Sequence, residues 1–229
     1  MGLSLIVVPT LHFLSPHLEP ISKPPMFIVF EGVDGAGKTT QLTQLVKWLE
    51  KRGTSVVTCK DPGSTKLGEE LRSILLNSVD TPISMRAEMM LFTTARTQLV
   101  DEIVRPALAA GKTVVLDRYI YSTIVYQGHA GDLPTDDIRQ VNHIATEGLN
   151  PNLTFVIDLP VEVSMQRLGD SLDRMESRGQ EYFEKVRAGF IAESKHSPTG
   201  IELIDGNRPP EEIQVELQTI TERYLQNRG

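Results

Sequence analysis

The chain predicts an α/β fold: a five-stranded parallel sheet with helices on both faces and a short lid. Three observations lead there. Apolar runs at 26–31, 55–59, 113–117, 153–158 and 201–205 alternate with helical patterns, as in strands joined by right-handed helical crossovers. Several of these runs are apolar throughout rather than at every second position, as strands covered on both faces should be. A glycine-rich turn joins the first run directly to a helical pattern. In such sheets ligands bind beyond the carboxyl ends of the strands, so the residues after each run are where chemistry belongs.

The first run, Met26-Phe27-Ile28-Val29-Phe30, is followed by Gly32-Val33-Asp34-Gly35-Ala36-Gly37-Lys38-Thr39-Thr40. Leu42, Leu45, Val46 and Leu49 then recur at helical spacing. Strand, glycine turn and helix together make the context of a phosphate-binding loop. The glycines let successive backbone N–H groups converge on one concavity, and the helix directs its positive end to the same place. Lys38 can reach the outer phosphates of a nucleotide, and the Thr39 hydroxyl is suited to Mg²⁺. Asp34 is a carboxylate inside an anion-binding turn. Either it contacts a hydroxyl or cation close by, or it caps the turn. The loop establishes binding of nucleotide phosphates and leaves the reaction open.

The second run, Val56-Val57-Thr58-Cys59, leads to Lys60-Asp61-Pro62-Gly63-Ser64-Thr65. Pro-Gly forces a turn, and Ser64 or Thr65 can cap the next helix. Lys60 and Asp61 either present a cation and an anion to a ligand or are two solvated charges. A long helical pattern follows over about 82–108. It places Phe92 and Arg96 four residues apart on one face. A ring beside a guanidinium fork can hold a base by stacking and bidentate hydrogen bonds. The alternative is a core Phe beside an Arg paired with Asp or Glu.

The third run ends in Asp117-Arg118. An apolar strand closed by Asp is the second half of many phosphate-loop sites, where the carboxylate holds Mg²⁺. Arg118 beside it could bind an acceptor phosphate; otherwise the pair is a helix cap with its counter-ion. Ser122, Thr123, Tyr126 and Gln127 follow, all able to hydrogen-bond a small ligand. After the fourth run, Phe155-Val156-Ile157-Asp158, a helix starts near Pro160. It leads to Arg167-Leu168-Gly169-Asp170-Ser171-Leu172-Asp173-Arg174, which reads as a lid over about 167–178 or as a solvated linker. The last run ends in Asp205-Gly206-Asn207, a turn whose backbone could line an adenine pocket.

The whole chain has 229 residues and a net charge of −7, which argues against a general nucleic-acid binder. Its single cysteine, Cys59, excludes an intramolecular disulfide and fits a reducing compartment; within its apolar run it reads as a small buried strand residue. No apolar run approaches the length of a membrane span. Residues 26–229 read as one domain. Residues 1–25 hold many prolines and scattered apolar residues, without a basic n-region or clear cleavage site. They read as a poorly ordered extension, or as an over-long start with Met26 as the functional initiator.

These motifs together resemble a thymidylate kinase of the bacterial kind, over about residues 26–226. The resemblance is carried by the phosphate loop, the Asp-Pro-Gly turn, Phe92 with Arg96, Asp117-Arg118-Tyr119, Ser122-Thr123 through Tyr126-Gln127, Leu172-Asp173-Arg174, and Ile204-Asp205. It implies a P-loop NTPase fold and transfer of the ATP γ-phosphoryl group to dTMP, giving dTDP and ADP. It further implies Mg²⁺ held by Thr39 and Asp117, a cytoplasmic enzyme and a homodimer paired through helices. Lys38, Asp117, Arg118, Arg167 and Arg174 would serve catalysis, and Gly32 to Thr40 with Asp205, Gly206 and Asn207 would bind ATP. Asp34 would bond the 3′-hydroxyl of the acceptor sugar. Phe92 would stack on thymine and Arg96 would bond its edge, with Thr123 or Gln127 helping; Tyr126 would pack under the sugar. Arg118 and Lys60 would hold the acceptor phosphate, with Arg72 nearby, and Asp61 and Ser122 would belong to the same substrate site.

Three departures stand out. Lys60-Asp61 replaces the family's common Arg-Glu, which removes a bidentate fork and one methylene. The loop lacks an arginine, while the lid carries Gly169-Asp170-Ser171 where arginines are frequent. Gly206 stands where Ala is often found, a change expected to matter little. A kinase of the same fold with another acceptor is the nearest rival. A guanine-nucleotide switch is the further one, and the chain lacks the Asn-Lys-x-Asp motif such switches carry.

Overall fold

The computed structural model describes residues 24–78, 80–168, 173–196 and 200–227. The expected extension therefore lies outside the described residues except for its last two, as do residues 169–172 of the expected lid. Five strands, β1 (Phe27–Glu31), β2 (Val56–Lys60), β3 (Thr113–Asp117), β4 (Leu153–Asp158) and β5 (Ile201–Asp205), form one sheet in the order β2-β3-β1-β4-β5. Every neighbouring pair is parallel. The chain winds outward from β1 to one edge through β2 and β3 and to the other through β4 and β5. The switch of direction thus falls at the carboxyl end of β1, where a ligand is expected in such sheets.

Burial explains why these runs become central strands. Along β1, Phe27 and Val29 pack with Leu99, Val100 and Val104 on one face. Ile28 and Phe30 pack with Leu42, Leu45 and Phe183 on the other. Successive side chains of a strand point to opposite faces, so a run buried on both sides must be apolar throughout. Glu31, the last residue of β1, is also fully buried. Cys59 is buried and unpaired, and burial, with Asp61 nearby, pushes its thiol up to about 12.

The helices are α1 (Lys38–Lys51), α2 (Lys66–Asn77), α3 (Met85–Leu99), α4 (Arg105–Ala109), α5 (Ile120–Thr123), α6 (Thr135–Thr146), α7 (Val161–Leu168), α8 (Gln180–His196) and α9 (Pro210–Gln226). Thr65 caps α2 by accepting from the Gly68 N–H at 2.9 Å. The long helix expected over 82–108 is continuous but not uniform. It starts after Ser84 and widens into a π turn, Val100–Val104, before α4. Pro106 follows that turn; it has no N–H to give and its ring crowds the preceding turn. A second π turn, Ile124–His129, extends α5. Among the described residues, no helix is long and apolar enough to cross a membrane.

Candidate active site

The glycine turn after β1 has the backbone a phosphate loop needs. Gly32, Gly35 and Gly37 have φ of +132°, +75° and +90°, which L side chains rarely tolerate. A Cβ on Gly32 would lie 2.4 Å from the Ile157 carbonyl oxygen, and one on Gly35 would lie 2.7 Å from that of Ser164. The loop is therefore pressed against β4 and α7. The Lys38 ammonium donates to the carbonyls of Gly32 (3.2 Å) and Val33 (2.9 Å). Burial and the nearby Arg118 both lower its pKa.

Thr39 and Asp117 meet across the loop, the hydroxyl donating to Asp117 Oδ2 at 3.0 Å. Asp117 is thus not a helix cap; α5 has no side-chain cap. Two hard oxygen donors lie side by side and fit Mg²⁺, which usually takes one or two protein ligands and fills its octahedron with water and phosphate. No group of three or more His, Cys, Asp or Glu suited to a metal occurs among the described residues. The donor set suits a cation carried in by a nucleotide.

Arg118 stands at the centre of the second half of the site. Its φ is +69°, a left-handed backbone that costs a non-glycine residue about 1–3 kcal/mol. The Arg118 N–H donates to Phe30 O at 2.9 Å. Its guanidinium donates to Asp34 Oδ1 (2.5 Å), Ser122 Oγ (2.9 Å) and the Tyr126 hydroxyl (3.2 Å). Tyr126 in turn donates to Asp34 Oδ2 at 2.9 Å. Asp34 therefore contacts both a cation and a hydroxyl. Burial pushes its carboxyl up, but Arg118, Lys38 and the hydrogen bonds outweigh burial and hold it down at about 2. Glu31 buttresses the cluster from below, accepting from the N–H groups of Tyr119 (2.8 Å) and Ser122 (3.1 Å) and from the Ser122 hydroxyl (2.5 Å). Burial raises its pKa despite Arg118. Sequence reasoning passed over Glu31; its signal is a lone charge closing an apolar strand.

Beyond Arg118 lies a cavity partly open to solvent. Of the expected acceptor residues, Asp34, Asp61, Arg72, Phe92, Arg96, Arg118, Ser122, Thr123, Tyr126 and Gln127 all line it. Arg96 takes the alternative its spacing allowed, a buried Arg paired with Asp, and also lines the cavity. It is 1% exposed and donates through Nε to Asp61 Oδ2 (2.5 Å) and through Nη1 to Thr123 Oγ1 (2.8 Å) and Asn142 Oδ1. Its Nη2 has no hydrogen bond among the described residues, and the side chain lines the cavity.

A larger cavity of about 1880 Å³, open to solvent, lies over the glycine loop. Loop residues Asp34 to Thr40 line it, together with Arg167, Gly206, Arg208, Pro210 and Ile213. Four residues, Asp34, Asp61, Arg72 and Arg118, belong to both cavities.

Several expectations are corrected. Lys60 lines only the larger cavity, and its half-exposed ammonium is paired with Glu69 at 3.1 Å. Arg72, whose Nη1 donates to Pro62 O at 3.1 Å, joins Arg118 as a cation lining both cavities. Asp61 points at Arg96, and its Oδ1 is buried with no partner among the described residues, as a carboxylate one methylene short would be. Arg174 does not face the glycine loop. Its guanidinium donates to Leu75 O and to Glu88, both at 2.6 Å. Residues 173–178 are consequently wall rather than lid: Met175 is in the core and, with Asp173, lines the smaller cavity. Of the two expected lid arginines only Arg167 stands over the loop, its Nη1 3.4 Å from Gly35 O.

Asp205 and Asn207 do not line the larger cavity; the Asp205 carboxylate accepts from the Asn207 N–H at 2.9 Å and shapes the turn. Gly206 matters more than expected, because a Cβ there would lie 2.7 Å from Ile157 Cγ2 and 2.9 Å from Asp158 O. Glu88, Asn142, Arg178 and Arg208 were not foreseen, since charged and amide side chains on helices and turns ordinarily face solvent.

Two cavities that share a wall carrying the Arg72 and Arg118 guanidinium groups between two carboxylates, one of them floored by a phosphate loop, suit a pair of phosphorylated molecules meeting end to end. That defines a phosphate-loop phosphotransferase acting between two nucleotides. Comparison with known proteins narrows the class. The family model for thymidylate kinase matches residues 30–217. The thymidylate kinase of Exiguobacterium sp. is 42% identical over 206 residues, covering 89% of this chain and 97% of that protein. That of Symbiobacterium thermophilum is 38% identical over 204 residues, covering 89% and 95%. A crystal structure of thymidylate kinase from Ehrlichia chaffeensis superposes with a TM-score of 0.71 at 29% identity, covering 86% of this chain and 98% of that one. The chain belongs to the thymidylate kinase family.

Proposed function

We propose that the chain transfers the γ-phosphoryl group of ATP to the 5′-phosphate of dTMP, giving dTDP and ADP. The observation that carries this is the wall common to the two cavities, Asp34, Asp61, Arg72 and Arg118, at which the acceptor phosphate and the γ-phosphoryl group would meet. ATP lies along the glycine loop with its adenine toward Gly206 and Arg208. dTMP lies in the smaller cavity, its base against Phe92 and Arg96, its sugar beside Tyr126 and Asp34, and its phosphate at Arg118 and Arg72. The acceptor phosphate is already a nucleophile, so positioning and charge neutralisation carry the rate. Lys38 leaves its carbonyl partners for the transferring phosphoryl oxygens, and Arg167 approaches the same oxygens from α7. Thr39 and Asp117 would hold Mg²⁺, which when bound supplies further positive charge between the phosphates.

We extend this reading to a cytoplasmic homodimer. The buried, unpaired Cys59 fits a reducing compartment, and the pairing of two copies rests on the resemblance; light scattering at micromolar concentration tests it. The function is tested by ADP release with ATP and each of dTMP, dUMP, dCMP and thymidine in turn. Release that depends on dTMP and is strongest with it is the expected result. Equal release without any acceptor, or a preference for thymidine, would overturn the proposal.

A further inference from the structure

On α3, residues 88, 92 and 96 follow one another at four-residue spacing and so share one face. Phe92 and Arg96 line the smaller cavity. Glu88 stands behind it, fully buried, and is met by three donors. Gln127 Nε2 donates to Oε1 at 2.9 Å, and the guanidinium groups of Arg174 and Arg178 donate to Oε2 at 2.6 and 2.5 Å. A carboxylate in this position has only lone pairs to offer. An amide beside it must therefore turn its NH₂ toward Glu88 and its carbonyl away. Gln127 lines the cavity, and its Oε1 has no hydrogen bond among the described residues.

Arg96 is fixed in the complementary sense. Asp61, Thr123 and Asn142 occupy Nε and Nη1, and the free Nη2 can only donate. Among the polar groups of the cavity, Arg96 Nη2 is thus a frozen donor and Gln127 Oε1 a frozen acceptor. Thymine presents the matching edge, a carbonyl acceptor beside a ring N–H donor. Cytosine presents the reverse, an amino donor beside a bare ring nitrogen.

We propose that Glu88 is a specificity-determining positioning residue: by holding the Gln127 amide in one orientation, it makes the acceptor site accept an oxo-pyrimidine and reject an amino-pyrimidine. This rests on the acceptor being a pyrimidine nucleotide bound in the smaller cavity. Glu88 touches no substrate and acts through Gln127. Arg174 and Arg178 complete the arrangement by filling the other carboxylate oxygen, so that neither oxygen is left to water.

The test compares Glu88→Gln with Glu88→Asp. Both disturb the packing, but only the amide can donate, and so only Glu88→Gln releases Gln127 to turn over. The readout is the ratio of kcat/KM for dTMP to kcat/KM for dCMP. It should fall by about tenfold or more in Glu88→Gln and stay within about twofold of wild type in Glu88→Asp. An unchanged ratio in Glu88→Gln, or an equal fall in both, would overturn the proposal. If Glu88→Gln fails to fold, ¹⁵N-glutamine labelling of the wild type decides. The Gln127 side-chain NH₂ should exchange slowly with water in the ligand-free protein and hold its chemical shift when dTMP is added. Fast exchange, or a large shift on binding, would place the NH₂ toward the ligand and overturn the proposal. The ligand-free exchange measurement is independent of the activity, so a wild type inert toward dTMP would refute the proposed function without deciding the orientation of Gln127.

Discussion

Replacing Arg96 with Ala should have two separable consequences. Arg96 and Asp61 are 1% and 2% exposed, and the carboxylate already has one oxygen without a partner among the described residues. Removing the guanidinium leaves a buried, uncompensated charge. Breaking one side of such a pair costs about 3–5 kcal/mol. Removing both sides should cost much less than twice that, so Asp61→Ala with Arg96→Ala should show a coupling of about 2–3 kcal/mol in urea denaturation. The second consequence concerns binding. The free Nη2 can give a charged hydrogen bond worth about 1.5–3 kcal/mol, which corresponds to about a 10- to 150-fold loss of dTMP affinity. Calorimetric titration at a temperature where the variant is folded should find that loss for dTMP and less than about a threefold change for ATP. Additive stabilities would refute the description of the buried pair. Equal losses for the two nucleotides would refute the assignment of Arg96 to the acceptor base.

Three further outcomes follow from the same geometry. Lys38→Ala should lower kcat by orders of magnitude while the far-UV circular dichroism stays unchanged; near-normal turnover would remove Lys38 from the mechanism. The Asp34 carboxyl is lowered from 3.8 to about 2 in the folded state, so its contribution to stability is present above about pH 4 and is lost as pH falls through about 2, a total of about 2 kcal/mol. Denaturation of wild type and Asp34→Asn across that window should converge at the acid end, and a constant difference would contradict the linkage. Gly206→Ala must displace Asp158 or Ile157, at about 1–3 kcal/mol, and should raise KM for ATP more than KM for dTMP, as steady-state kinetics would register; a neutral substitution would contradict the close approach of that turn to β4.

The three central strands were legible because burial on both faces leaves a run of apolar residues, and the partly buried edge strands β2 and β5 because turn residues bound short apolar runs. Each of the five starts within one residue of its expected position and ends within one. The glycine loop was legible for a related reason, since its conformation admits few residue types. The adjacency of Asp34 to Arg118 followed from topology, both residues lying just beyond carboxyl ends of neighbouring strands. What stayed hidden depended on which way a long side chain turns. Lys60 and Arg174 have the charge the chemistry wants, yet Glu69 and Glu88 claim them, and neither pairing follows from spacing within one helix. Glu88 itself looks like a helix-surface residue until α2, Gln127 and the segment from Asp173 close over it. Asp61 was read with Lys60 as a charge presented to a ligand beyond the second strand or left to solvent; the side chain serves Arg96 instead.

The proposed reaction requires two nucleotides to meet end to end across the wall formed by Asp34, Asp61, Arg72 and Arg118. The most direct measurement is titration of the protein with adenosine and thymidine joined through their 5′ positions by a chain of five phosphates. One molecule per chain should displace both dTMP and ATP, with an affinity far above that of either. A linked compound that displaces only one of them, or binds no better than the tighter single nucleotide, would contradict it.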